Sequence, residues 1–216
     1  MKISKMVINN FRLLKSTEID LEKELSLIIG KNNCGKTSVL TVLTKFLGEQ
    51  STTNNFNYDD FNIDFQNELF QCVDENVEKW RGRKCQGIEL YVFIQYDDAD
   101  NLANISSLML DLDPDNKMVV LKLEYILDDT GVLTLKESFE KYYERFKNDK
   151  KNKLSKRECY DKFMHLKSRQ FFKIIYKAVL FDKTTKKISS DVFRVIDKRK
   201  IDLSKIISIK YIAAKR

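Results

Sequence analysis

Histidine occurs once in the 216 residues, at position 165, and the four cysteines (Cys34, Cys72, Cys85 and Cys159) stand far apart without a C-x-x-C pair. The donor spacing of a zinc site is therefore missing, and reduced thiols are the expectation. One proline and six glycines leave no composition for long flexible linkers or low-complexity tracts. No internal repeat is visible, and nowhere do 18 apolar residues run together, which excludes an ordinary membrane-spanning helix. The opening MKISKMVINNFRLLK scatters its charges and has no apolar stretch of the kind found in a signal peptide. A soluble, cytoplasmic protein without a membrane partner is expected.

What is present is enough hydrophobic material, 43% of residues, for one substantial domain or two small ones. Charge is divided unevenly. Residues 1 to 135 carry 14 Lys and Arg against 22 Asp and Glu, a net −8, whereas residues 136 to 216 carry 25 against 10, a net +15. A basic half suits a polyanion such as nucleic acid, because lysine and arginine displace counterions condensed on phosphates. A solvated lysine-rich face is the plainer reading of the same charge. Within that half the run KNDKKNKLSKR offers Lys150, Lys151, Lys153 and Lys156 as candidate contacts to a nucleic-acid backbone.

The most informative stretch is LIIGKNNCGKTSVLTVL, residues 27 to 43. KISKMVIN and STEIDL read as short strands, and ELSLIIG, ending at Gly30, as a third and buried one. From Thr37 onward Val39, Val42, Leu43 and Phe46 fall on one helical face, and Gly48 is a stop signal. Strand, loop, helix is the context in which G-x-x-x-x-G-K-[ST] carries chemistry. Gly30 and Gly35 would let the backbone curl around the phosphates of ATP, with the N–H groups of Asn32, Asn33, Cys34, Gly35 and Lys36 and the helix N-terminus at Thr37 and Ser38 pointing inward. Lys36 would reach the β and γ phosphates, and the Thr37 hydroxyl would ligate Mg²⁺. Cys34 lies inside this loop, either as a thiol whose modification would obstruct it or as an inert small residue that matters only for its backbone.

ISKMVINNFRLLKSTEIDLEKELSLIIGKNNCGKTSVLTVLTKFL resembles the opening of the ABC-type ATPases of the OLD (overcoming lysogenization defect) family and, more distantly, SMC- and RecF-like DNA-repair heads. The tail IISIKYIAAKR is similar to that family's YIPAxR strand, with Ala213 in place of the usual proline. The resemblance implies that Asn10, Phe11 and Arg12 lie near the nucleotide, with Arg12 contacting phosphate. It also implies ATP-driven association of two heads, as a homodimer or higher oligomer, and a TOPRIM nuclease domain following the ATPase.

The rest of an ABC-type site is not evident. IELYVFIQYDD ends in Asp97 and Asp98, and VVLKLEYILDDTG ends in Asp128 and Asp129. Leu121, Leu123 and Tyr125 alternate with Lys122 and Glu124 as in a half-exposed antiparallel strand, and Asp129-Thr130-Gly131 has the composition of a hairpin turn. The acids are accordingly expected to be turn formers at edge strands, and Gln95 a solvent-facing residue. No LSGGQ-like signature exists. Further on, Phe139, Tyr142, Tyr143 and Phe146 form a helical stripe expected in the core, Ser155 and Glu158 a capping box, and FFKIIYKAVLFDKTTKKISSDVF a strand, turn and return. His165 is expected to be structural or exposed.

The sequence thus leads to an α/β P-loop NTPase lobe, ABC-ATPase-like, with a mixed sheet, antiparallel strands from 88 to 135 and a basic helical insertion. Residues 1–135 would form the ATPase lobe, and residues 136–216 the insertion and returning strands of the same head. The chain would bind ATP and leave γ-phosphate cleavage to missing sequence or to a partner subunit, in the service of nucleic-acid processing, most naturally of DNA. The alternative is a non-catalytic nucleic-acid-binding or assembly subunit in which nucleotide is a structural ligand.

Overall fold

Ten residues from Lys2 to Phe11 (β1) turn tightly into Leu14–Asp20 (β2), and this hairpin begins a sheet of six strands. The remaining strands are β3 (Gly87–Gln95), β4 (Met118–Ile126), β5 (Lys173–Asp182) and β6 (Lys187–Ile196). Their order is β2-β1-β3-β4-β5-β6, and every pairing is antiparallel. Among the described residues four α-helices complete the fold: α1 (Lys36–Leu47), α2 (Ile63–Asp74), α3 (Asp129–Lys147) and α4 (Lys156–Lys167). This computed structural model describes residues 1–32, 34–48, 56–81, 83, 86–111, 113–147, 154–197 and 206–207. Among them no helix is long and apolar enough to cross a membrane.

All four helices pack on one face of the sheet. Met6 and Ile8 of β1, Ile88, Leu90, Val92 and Ile94 of β3, and Leu121, Leu123 and Tyr125 of β4 meet Val42 and Phe46 of α1, Leu69 of α2 and Phe139 of α3 there. Aromatic rings join the layers. Tyr125 stacks on Phe56 at 4.4 Å and on Phe172 at 5.2 Å between ring centres, and Phe139 meets Tyr160 edge to face at 5.0 Å. The 139–146 stripe lies between α3 and α4 as expected, with Phe139 buried and Tyr142 and Tyr143 packed against the core. Ser155 and Glu158 form their reciprocal cap at the start of α4.

Among the described residues the opposite sheet face carries no helix. Phe93, Val120 and Val179 form a small apolar cluster there, beside an open groove of about 640 Å³ lined by Val7, Tyr91, Phe181 and Ile188 among others. Lys122 and Glu124 do alternate with the apolar residues of β4, but they are not in water: Glu89 and Glu124 are each 3% exposed. Lys122 bridges Glu89 (2.8 Å) and Glu124 (2.5 Å), Lys177 meets Glu124 (2.6 Å), and Asn9 donates to Glu89 (3.0 Å). Burial alone would lower the Lys122 pKa, but the two carboxylates more than offset it and raise it.

Four expectations need correction. Residues 24 to 30 form no strand: they join no ladder among the described residues and are mostly exposed, because a strand apolar on both sides needs neighbours at both edges and cover on both faces. For the same reason the sheet is antiparallel throughout the described residues and not mixed. Asp129-Thr130-Gly131 is no hairpin turn but the first turn of α3, since the Asp128 carboxylate caps it by accepting from Gly131 N–H (2.8 Å) and the Thr130 hydroxyl (3.0 Å). Finally β3, which ends next to Asp97 and Asp98, is an interior strand.

Candidate phosphate-binding site

The loop before α1 is built around two glycines. Gly35 is buried, adopts φ 91°, and would bring a Cβ within 2.9 Å of Leu14 Cδ2, so both its conformation and its neighbour favour glycine. A Cβ on Gly30 would lie 2.7 Å from Cys34 Sγ, which shows how closely the loop folds on itself. Lys36 Nζ donates to the carbonyls of Gly30 (2.5 Å) and Lys31 (2.6 Å) and lies 3.7 Å from Cys34 Sγ. The ammonium therefore sits over the loop and does not extend away from it.

Helix α1 begins at Lys36, and its first internal bond is Val39 N–H to Gly35 carbonyl (3.2 Å). The N–H groups of Lys36, Thr37 and Ser38 precede any intrahelical partner, no side chain caps this end, and its first turn holds no acid. Unpaired N–H groups, the positive helix end and one ammonium make a donor set that fits a phosphate. Thr37 is exposed in the first turn, where its hydroxyl could serve a magnesium ion; Ser38 is buried; Asn32 and Cys34 are exposed; and Asn33 lies outside the described residues.

Arg12 closes the β1–β2 turn next to Leu13 and Leu14, the residues that abut Gly35. Its guanidinium is held by Asp60, through Nε (3.0 Å) and Nη2 (2.9 Å) to the same oxygen. The other Asp60 oxygen meets Lys45 of α1 at 2.9 Å. Asp60, Asn62 and Lys45 were not singled out from the sequence. The one available signal was the pair of short strings NNFR and DDFN, each a polar pair, a phenylalanine and a polar residue. Asn10 is in the same turn, with its Nδ2 donating to Gly87 carbonyl at 3.2 Å.

The other candidates are dispersed. Asp98 pairs with Lys117, and the Asp97 carboxylate accepts from Ala99 N–H at 3.0 Å, so both act as turn residues, and Gln95 is exposed. Lys156 is paired with Asp74 and lies over the Tyr143 ring, whereas Lys150, Lys151 and Lys153 are outside the described residues, as is nearly all of the tail IISIKYIAAKR. His165 packs edge to face on Tyr58 at 5.3 Å and is 3.6 Å from Asp59.

A family model described as AAA ATPase domain matches residues 1–213. The chain belongs to the AAA ATPase domain family. This membership covers both the loop and the sheet that carries it, and it brings the expectation of ATP binding, generally with Mg²⁺, to the donor set described above. None of the curated proteins matches the chain.

Proposed function

We propose that this ATPase domain is the N-terminal part of an OLD-like, ABC-type head that binds Mg·ATP at residues 30 to 38, and that nucleotide binding there regulates nucleic-acid cleavage or processing. The observation that carries the reading is the Lys36 ammonium drawn over the carbonyls of Gly30 and Lys31 at an uncapped, acid-free helix start. A triphosphate brings negative charge and oxygen acceptors to these donors and an electrophilic γ-phosphorus to whatever group attacks it. On this chain Lys36 would neutralise phosphate charge, the amides from Asn32 to Lys36 would bind the phosphates, and Thr37 would hold the magnesium ion.

Completion of the site by another lobe is part of the proposal. Leu25, Leu27 and Ile29 are 78%, 76% and 82% exposed immediately before the loop. Neighbouring strands, the metal-binding carboxylate, the water-activating acid and a signature segment would come from further sequence or from a partner subunit, and ATP would then hold two such heads together. The net charge of +15 on residues 136 to 216 supports a nucleic-acid partner, DNA being the class favoured by the OLD resemblance.

Titration with Mg·ATP tests the reading. Lys36→Ala is expected to weaken binding at least about tenfold, the scale of one charge-assisted hydrogen bond. Its melting temperature should change little, because among the described residues Lys36 Nζ bonds only loop atoms. A Lys36→Ala protein that binds Mg·ATP as tightly as the wild type would leave an assembly module as the better description.

A further inference from the structure

We propose that Asp60 is a positioning residue of the phosphate site, holding Arg12 so that one edge of its guanidinium is presented to an anionic phosphate ligand of the adjoining loop. The proposal rests on the reading of residues 30 to 38 as that loop.

The backbone is the first observation. Asn10 and Arg12 adopt φ 57° and 51°, a left-handed conformation that asparagine tolerates and arginine seldom adopts. Two such residues around one phenylalanine persist only where their surroundings hold them, and this is a recurrent feature of ligand-binding turns. Here the holding is done by Asp60-Phe61-Asn62. Arg12 N–H donates to Asp60 carbonyl (2.8 Å), Asn62 N–H to Asn10 carbonyl (2.9 Å), and Asn62 Nδ2 to Arg12 carbonyl (2.6 Å). Phe11 and Phe61 form the bridge between them, and both are buried.

The carboxylate then fixes the side chain. Asp60 is 1% exposed and accepts Arg12 Nε and Nη2 on one oxygen, and Lys45 Nζ and Asn57 N–H (2.9 Å) on the other. The Arg12 side chain remains 39% exposed, and its Nη1 has no partner among the described residues. A guanidinium gripped along one edge by a buried carboxylate has already lost much of its rotamer freedom, so its free edge binds an anion at a lower entropic cost. Lys45 ties the same carboxylate to the helix that the loop begins, so the turn and the loop helix share one anchor.

The test compares Mg·ATP affinity, followed with a fluorescent ATP analogue on the whole chain, for wild type, Asp60→Asn, Arg12→Gln, the double variant and Lys36→Ala, with thermal unfolding recorded for each. Asp60→Asn and Arg12→Gln are each expected to weaken binding about tenfold. The double variant should bind no worse than Arg12→Gln, because a positioning residue has no effect once its arginine is gone. A residue that acts only on the fold would add its loss to that of Arg12→Gln. Should Asp60→Asn not fold, Asn62→Ser replaces it: serine can still cap α2, where Asn62 accepts from Asp64 N–H, but has no amide to hold the Arg12 carbonyl. Its expected loss of several-fold should vanish in the Arg12→Gln background. Additive losses, or unchanged binding in Asp60→Asn or Arg12→Gln while Lys36→Ala still weakens it, overturn the assignment and leave the loop reading intact. A wild-type chain that does not bind Mg·ATP overturns both.

Discussion

Two stretches of similar apolar character meet opposite fates in this molecule. MVVLKLEYI, residues 118 to 126, pairs with β3 on one side and β5 on the other, and its Leu121, Leu123 and Tyr125 are fully buried. ELSLIIG, residues 24 to 30, joins no strand ladder among the described residues and exposes Leu25, Leu27 and Ile29. Apolar side chains alone do not make a strand. The backbone N–H and C=O groups need partners at both edges, and burial of a Leu or Ile stabilises by about 1.5–3 kcal/mol only where a second layer covers it. The candidate phosphate loop therefore lies between a packed part, helix α1 on its sheet, and an exposed one, the segment that leads into it.

The contrast can be broken or sharpened by substitution. Leu123→Ala, at the centre of the packed part, should cost about 2–5 kcal/mol in a denaturant titration. A loss below about 1 kcal/mol would show that the layer between sheet and helices is far looser than its burial suggests. Tyr125→Phe probes the same place from the other direction. The Tyr125 hydroxyl is buried without a partner among the described residues, and burial raises its pKa, so its removal should stabilise by about 1 kcal/mol. A destabilised Tyr125→Phe would show that this hydroxyl is hydrogen-bonded in the folded protein. Ile29→Asp should change stability by no more than about 0.5 kcal/mol, as for an exposed position. If it costs as much as Leu123→Ala, residues 24 to 30 are already packed and the two regions are alike.

The helical part of the site was legible because its signals are local. G-x-x-x-x-G-K-T, the α1 stripe from Val39 to Phe46, the Ser155–Glu158 cap and the β5–β6 hairpin each lie within a few residues and each specify one local geometry. The Asp129-Thr130-Gly131 string was misleading for an equally local reason: a turn-like triplet and a capped first helical turn share a composition, and here the cap came from Asp128, one residue earlier. Asp60 was not legible. Its partners Arg12 and Lys45 are 48 and 15 positions away in the chain, and nothing in the spacing of DDFN announces that it will bridge to NNFR.

By itself the sequence determined the identity and order of the groups in the candidate phosphate-binding loop, because a left-handed glycine, a lysine and a helix start must be contiguous to surround one anion. The tertiary structure decided which apolar runs became strands, that Lys122 and Glu124 would be enclosed as ion partners, and that a buried carboxylate would grip Arg12. Those outcomes depend on which edges and charges meet across the sheet. Such meetings are set by long-range pairing, whose closure cost is recovered only when the whole layer forms.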